Sequence, residues 1–143
     1  GTALESALKM GETIHIPSCC YEIEEYIHGP NLQLTPQYNV IFFDGNDGAS
    51  RRVEQVYKAT RKVTNRAYLI SNNPQLSRDG HVLSLSDTVS SELSPLVYLP
   101  FVQLLSFIVS NDLHSIYQHP LLKEFKAIAA AKTENFVNYD GDD

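Results

Sequence analysis

The chain has 143 residues, a mass of 16.0 kDa and a formal charge of −6. At about 100–200 residues per domain this is one fold unit, long enough to bury a core without staples. With 43% apolar and 20% charged residues it is not a disordered chain, and its acidic balance argues against a binder that tracks nucleic-acid phosphates.

No unbroken run of roughly eighteen apolar residues occurs, so no membrane-spanning helix and no membrane partner are expected. Residues 1–10 lack the cationic start and apolar core of a signal peptide. Cys19 and Cys20 are adjacent, and neighbours rarely form a disulfide or chelate a structural zinc. They read as small buried packing residues in a reduced, cytoplasmic setting.

Residues 2–15 read as a helix. Thr2 and Glu5 have capping-box spacing, Leu4, Ala7, Leu8, Gly11 and Ile14 or His15 mark the packed face, and Pro17 ends it. Residues 18–21 could form a short strand. Residues 22–27 hold three carboxylates and two aliphatics before His28-Gly29-Pro30.

Residues 38–44 contain the run Val40-Ile41-Phe42-Phe43, the pattern of a strand covered on both faces, which predicts a parallel sheet. A Gly- and Asp-rich turn over 44–49 leads to a helix capped by Ser50. Val53, Val56, Tyr57, Thr60 and Val63 share one side of it. Residues 67–70 and 81–85 read as further strands, with a loop over 72–80 between them.

Residues 96–109 are almost wholly apolar, with Ser94-Pro95 suited to a helix start and Pro100 to a kink or late start. A helix apolar all round is expected to lie between a sheet and another layer or partner chain. Residues 121–131 read as a last helix and 138–143 as an acidic end.

The order of elements predicts an α/β fold, a three-layer α-β-α sandwich on a mainly parallel sheet. Ligands in such folds sit at the carboxyl ends of strands, so residues 44–50, 71–80 and 86–94 are the candidate loops. None is a P-loop or dinucleotide fingerprint, and no cofactor is expected. Asp44 and Asp47 would repel an anion in the first loop.

Glu12 stands four residues after Leu8, on the stripe expected to pack. It is either an ordinary flank residue or a partly desolvated carboxylate suited to act as a general base. His28, beside Glu24 and Glu25, is either a turn histidine or a proton carrier. Lys132, after three alanines, is either solvated or reaches a site from the tail, for an imine or a phosphate. His114 and His119 lack a third ligand at metal spacing, so no metal site is expected.

Several segments together resemble the sugar isomerase (SIS) domain. The resemblance is to the second SIS domain of glutamine–fructose-6-phosphate transaminases (isomerising) and to fructosamine-6-phosphate deglycases. Residues 5–13, ESALKMGET, resemble the family's E-G-A-L-K-L-K-E helix. Tyr21 and Glu25-Tyr26-Ile27-His28-Gly29-Pro30 resemble its Y…E-x-x-H-G-P segment. Residues 99–107, LPFVQLLSF, are similar to its V-P-x-Q-L-L-A-Y helix, and His119-Pro120-Leu121 to the H-P-L of the deglycase branch.

The resemblance implies a single SIS domain over residues 1–143, the C-terminal lobe of a two-SIS protein. It implies roles as well. Glu12 would move a proton between C1 and C2 of the sugar, and His28 would help open the ring, reaching into a partner subunit's site. Lys132 would engage the open-chain carbonyl, and Glu25 and Tyr21 would line the substrate. The implied partners are a phosphorylated sugar or sugar–amine adduct, a second copy and a first SIS lobe.

The sequence departs from the family at the phosphate run S-x-S-G-x-T, which this lobe lacks, and Gly11 stands where a lysine is usual. The function implied is isomerisation, amination or cleavage of a hexose 6-phosphate derivative. A non-catalytic sugar-phosphate sensor or a dimerisation module is the alternative.

Overall fold

A computed structural model describes residues 1–73, 76, 80–85, 89–115 and 128. Its elements in chain order are α1 (Thr2–Ile14), α2 (Ile23–Ile27), a 3-10 turn (Pro30–Gln33), β1 (Val40–Asp44), α3 (Ser50–Thr60), β2 (Ala67–Ser71), β3 (Val82–Ser84), a second 3-10 turn (Ser91–Leu93) and α4 (Ser94–Asp112). The sheet is parallel throughout, in the order β1-β2-β3. Val40 pairs with Ala67, Asp44 with Ser71, and Ser71 with Ser84. This is the α/β fold expected, with α2 and α3 on one side of the sheet and α4, backed by α1, on the other.

Alternation along the strands decides which side chains enter which layer. Phe42, Ala67 and Leu69 point into the α3 layer and form its core with Val53, Val56 and Tyr57. The Phe42 ring meets Tyr57 and Tyr26 edge-on, with centroids 6.0 and 5.9 Å apart. Each buried aliphatic or aromatic side chain here stabilises the fold by about 1.5–3 kcal/mol relative to exposure. Thr64, also buried, bridges the carbonyls of Pro36 and Tyr38 at 3.0 Å and so fixes the entry to β1.

Several expectations are corrected. Gly1, not Thr2, occupies the cap of α1. Thr2 is already helical, and Glu5 pairs with Lys9 instead of closing a capping box. The buried stripe of α1 holds Ser6 and Ile14, whereas Leu4 and Leu8 are 64% and 51% exposed. Contacts with α4 and with the residues just after it set this choice. Ser106 Oγ meets Met10 Sδ at 3.9 Å, and Ser115 Oγ donates to the Thr13 carbonyl at 2.6 Å. Small hydroxyl residues let the helix backbones approach closely, and the bulkier leucines turn away. The helix ends as expected before Pro17, with His15 in the left-handed region at φ 61°.

Residues 18–21 form no strand, and Cys19 is exposed and Cys20 only part-buried, not the buried packing pair expected. Ser50 is the first residue of α3, not its cap, because its hydroxyl turns back to Asp44. Val63 lies beyond α3 and is exposed. The α4 helix runs through Pro100 and starts at Ser94-Pro95. It is not buried all round: Ser94, Tyr98, Val102, Ser106 and Ser110 are covered, while Leu104 and Phe107 are 57% and 62% exposed.

Residues 91–112 are also long and apolar enough to cross a membrane by length and composition, against the expectation that no such segment exists. In the fold 28% of this segment's apolar window is buried, with Ser106 set against α1 and Tyr98 against the sheet edge. The expected helix over 121–131 lies outside the described residues, except for Ile128, which is helical and exposed. The acidic end over 138–143 also lies outside them.

Candidate functional site

The carboxyl edge of the parallel sheet is polar inside. Asp44 closes β1 and Ser71 closes β2, in register, so their side chains share the α3 face. Asp44 is 2% exposed, and its carboxylate is fully engaged. Oδ1 accepts from Ser50 Oγ at 2.6 Å and Asn46 N–H at 2.9 Å, and Oδ2 accepts from Ser71 Oγ at 2.7 Å. A buried carboxylate survives only with such donors.

Tyr98 reaches the same edge from α4. Its hydroxyl donates to the Asp44 carbonyl at 2.5 Å and accepts from the Asn72 N–H at 3.1 Å. Burial pushes the Tyr98 phenol above its ordinary value. Asn72 in turn donates through Nδ2 to the Val89 carbonyl at 3.0 Å, tying the loop after β3 to the loop after β2. Sequence reasoning placed Asp44, Ser50, Ser71 and Asn72 in two candidate loops but missed Tyr98 and the bonds that join these loops. A carboxylate ending an apolar strand, level with a serine ending the next, was the available signal.

The sequence-predicted residues lie elsewhere. Glu12 is exposed on α1 and pairs with Lys9 Nζ at 2.9 Å, not buried on a packed stripe. That bond, with Glu5 nearby, raises the Lys9 ammonium above its ordinary value. An exposed pair of this kind is weakly held, so the Glu12 carboxylate exchanges partners readily.

His28 caps the carboxyl end of α2, and its Nδ1 lies 2.6 Å from the Glu24 carbonyl oxygen. A carbonyl only accepts, so Nδ1 carries the proton and Nε2 is left as the exchangeable nitrogen. Glu24 itself binds Arg52 through two bonds of 2.7 and 3.3 Å. The Arg52 guanidinium holds that carboxyl below the usual range.

The Glu25 carboxylate accepts the Glu22 N–H at 3.4 Å, at the start of α2, and His28 is held by main chain. Tyr21 is exposed, and a hydrogen bond with the Cys19 thiol raises its phenol. No hydrogen bond or ion pair joins Glu12 to His28 among the described residues. Lys132 and His119 lie outside those residues. Nor do three His, Cys, Asp or Glu side chains converge among the described residues as a metal set would.

No family model matches the chain, and no curated protein matches it in sequence. Solved structures do match. A protein of Clostridium difficile 630, provisionally named a phosphosugar isomerase, superposes with a TM-score of 0.78 at 22% identity, over 93% of this chain and 37% of its own. A protein of Salmonella typhimurium LT2, provisionally named a sugar-binding protein, gives 0.63 at 29% identity, over 75% of this chain and 32% of its own. The fold is shared with these proteins and fits the SIS-like architecture that the sequence resemblance implies. This chain spans about a third of the length of either neighbour.

Proposed function

We propose that the chain is a phosphosugar-binding lobe of an SIS-type enzyme acting on a hexose 6-phosphate derivative, as an isomerase, an isomerising transaminase or a sugar–amine deglycase. The observation that carries this reading is the place of Glu12. It is a carboxylate on the solvent side of α1, where Leu4 and Leu8 are also exposed, so it sits on a surface whose apolar residues are suited to cover by another lobe or copy. A lobe or copy covering that surface would enclose Glu12 with a substrate, within the reach that a general base needs. The names given to the two structural neighbours, a phosphosugar isomerase and a sugar-binding protein, support the substrate class.

In this reading Glu12 removes a proton from one of the sugar carbons C1 and C2 and returns it to the other. His28, with Nε2 exchangeable, moves the proton that opens the ring. Glu25 and Tyr21, both exposed at the α2 end, line the substrate. Lys132 engages the open-chain carbonyl, in keeping with its resemblance to the family's tail lysine. The lobe works with a first SIS lobe and as a homodimer in the cytoplasm, a setting that free Cys19 and Cys20 suit.

A second reading, a non-catalytic sensing or dimerisation module, draws on the exposed apolar residues of α1 and α4. Glu12→Gln in the intact protein separates the two. The enzyme reading expects turnover of a hexose 6-phosphate to be lost while binding changes little. Normal turnover by the variant would remove the role given to Glu12.

A further inference from the structure

The turn from β1 into α3 occupies the place where parallel α/β folds receive anions, a strand's carboxyl end followed by a helix N-terminus. In this chain four of that turn's N–H donors, those of Asn46, Asp47, Ala49 and Ser50, are already taken. Asn46 N–H gives to Asp44 Oδ1 at 2.9 Å, and Ala49 N–H to Asp47 Oδ1 at 2.8 Å. Asp47 N–H gives to Ser50 Oγ at 3.0 Å, and Ser50 N–H to the Asp47 carbonyl at 3.1 Å. Both flanking hydroxyls, Ser50 and Ser71, donate to the Asp44 carboxylate.

The turn is also shaped around these carboxylates. Asn46 adopts the left-handed region at φ 54°, which asparagine tolerates. A side chain at Gly45 would press on Asp47 Oδ2, 3.2 Å from where its Cβ would stand. Asp44 is therefore coordinated as a bound anion would be, by two hydroxyls and a main-chain N–H, in a place closed to water.

We infer that Asp44 is a built-in anion that fills this seat, so that the β1–α3 turn does not take phosphate. A phosphorylated ligand of the assembled protein then has its phosphate held outside this turn. The inference does not depend on the sugar reading, because its readouts are inorganic phosphate and formate acting on the turn itself.

The test titrates the 15N-labelled intact protein with inorganic phosphate, against sodium chloride of equal ionic strength. The amide signals of residues 45–51 are expected to respond alike to both salts. Saturable, phosphate-specific shifts at any of those amides overturn the inference. In a second arm, Asp44→Ala removes the anion and leaves three donors facing a gap. Its melting temperature should fall by several degrees, and sodium formate should return at least half of the fall where sodium chloride does not. Equal recovery in both salts, or none in formate, overturns the inference. The wild-type titration decides alone if Asp44→Ala does not fold.

Discussion

Tyr98 of α4 donates its phenolic hydrogen to the main-chain oxygen of Asp44, at 2.5 Å, across 54 residues of sequence. The phenolic oxygen accepts the Asn72 N–H, so one side chain joins α4 to the ends of two neighbouring strands. Its ring also lies 6.2 Å from that of Phe43, centroid to centroid. The carboxyl edge of the sheet, the usual ligand-bearing side of an α/β fold, is thereby fixed from the α4 layer.

Tyr98→Phe keeps the ring and removes that link. The Asp44 carbonyl and the Asn72 N–H are then left buried without this partner, and such losses cost about 1–3 kcal/mol. Chemical denaturation of the variant should show a midpoint lowered by that amount with an unchanged slope. A change below about 0.5 kcal/mol would mean that water or a neighbour replaces the hydroxyl.

Alkali provides an independent check on the same residue. Burial raises the Tyr98 phenol above its ordinary value, so the folded state favours the neutral form. The stability tied to that preference is fully present below the unfolded phenol's pKa, about 10, and is lost as pH rises toward the folded value. Stability measured from pH 9 upward to about 11 should therefore fall more steeply for the wild type than for Tyr98→Phe. Parallel curves would place the alkaline loss on other groups.

Much of this architecture is legible in the amino-acid sequence. The runs Val40–Phe43 and Ala67–Ile70 read as strands because continuous apolar runs of that length fit a strand covered on both faces. What periodicity does not decide is which stripe of α1 packs. Both stripes recur at helical spacing, and the one with leucines has the composition of a core. Small residues on α4 and just after it select the other, through Ser106 on Met10 and Ser115 on Thr13. The meeting of Tyr98, Ser71 and Asn72 at Asp44 escapes sequence reasoning for a related reason, although residues 71–80 read as a candidate loop. Each is ordinary in its local setting, and their meeting with Asp44 spans 27 to 54 residues. Glu12 stands out through its family-like setting, while its exposure contradicts the packed stripe expected for it.

The α3 layer yields a prediction of larger size. Phe42 is buried between Tyr26 and Tyr57, and it belongs to the core cluster with Val53, Val56 and Leu69. Truncating such a ring loses its transfer energy and leaves a cavity that two fixed aromatic neighbours do not fill. Phe42→Ala should cost about 3–5 kcal/mol, read from the unfolding midpoint. Phe42→Leu, which keeps most of the volume, should cost less than half of that. Equal losses in the two variants would show that ring geometry, not volume, matters at this position.

The last prediction concerns the surface that α1 and α4 leave open. Leu8 and Phe107 stand more than half exposed on two helices that pack together. Large exposed apolar side chains on one layer are the usual mark of a protein interface. If that layer is where two copies meet, a charge placed at its centre must be desolvated on association, which is costly without a partner charge. Phe107→Asp should then sediment as a monomer where the wild type sediments as a dimer. Because the side chain is exposed in the single chain, the melting temperature of the monomer should change little. A wild type that is monomeric at high concentration would remove the second copy, and with it the reach of His28 into a partner's site.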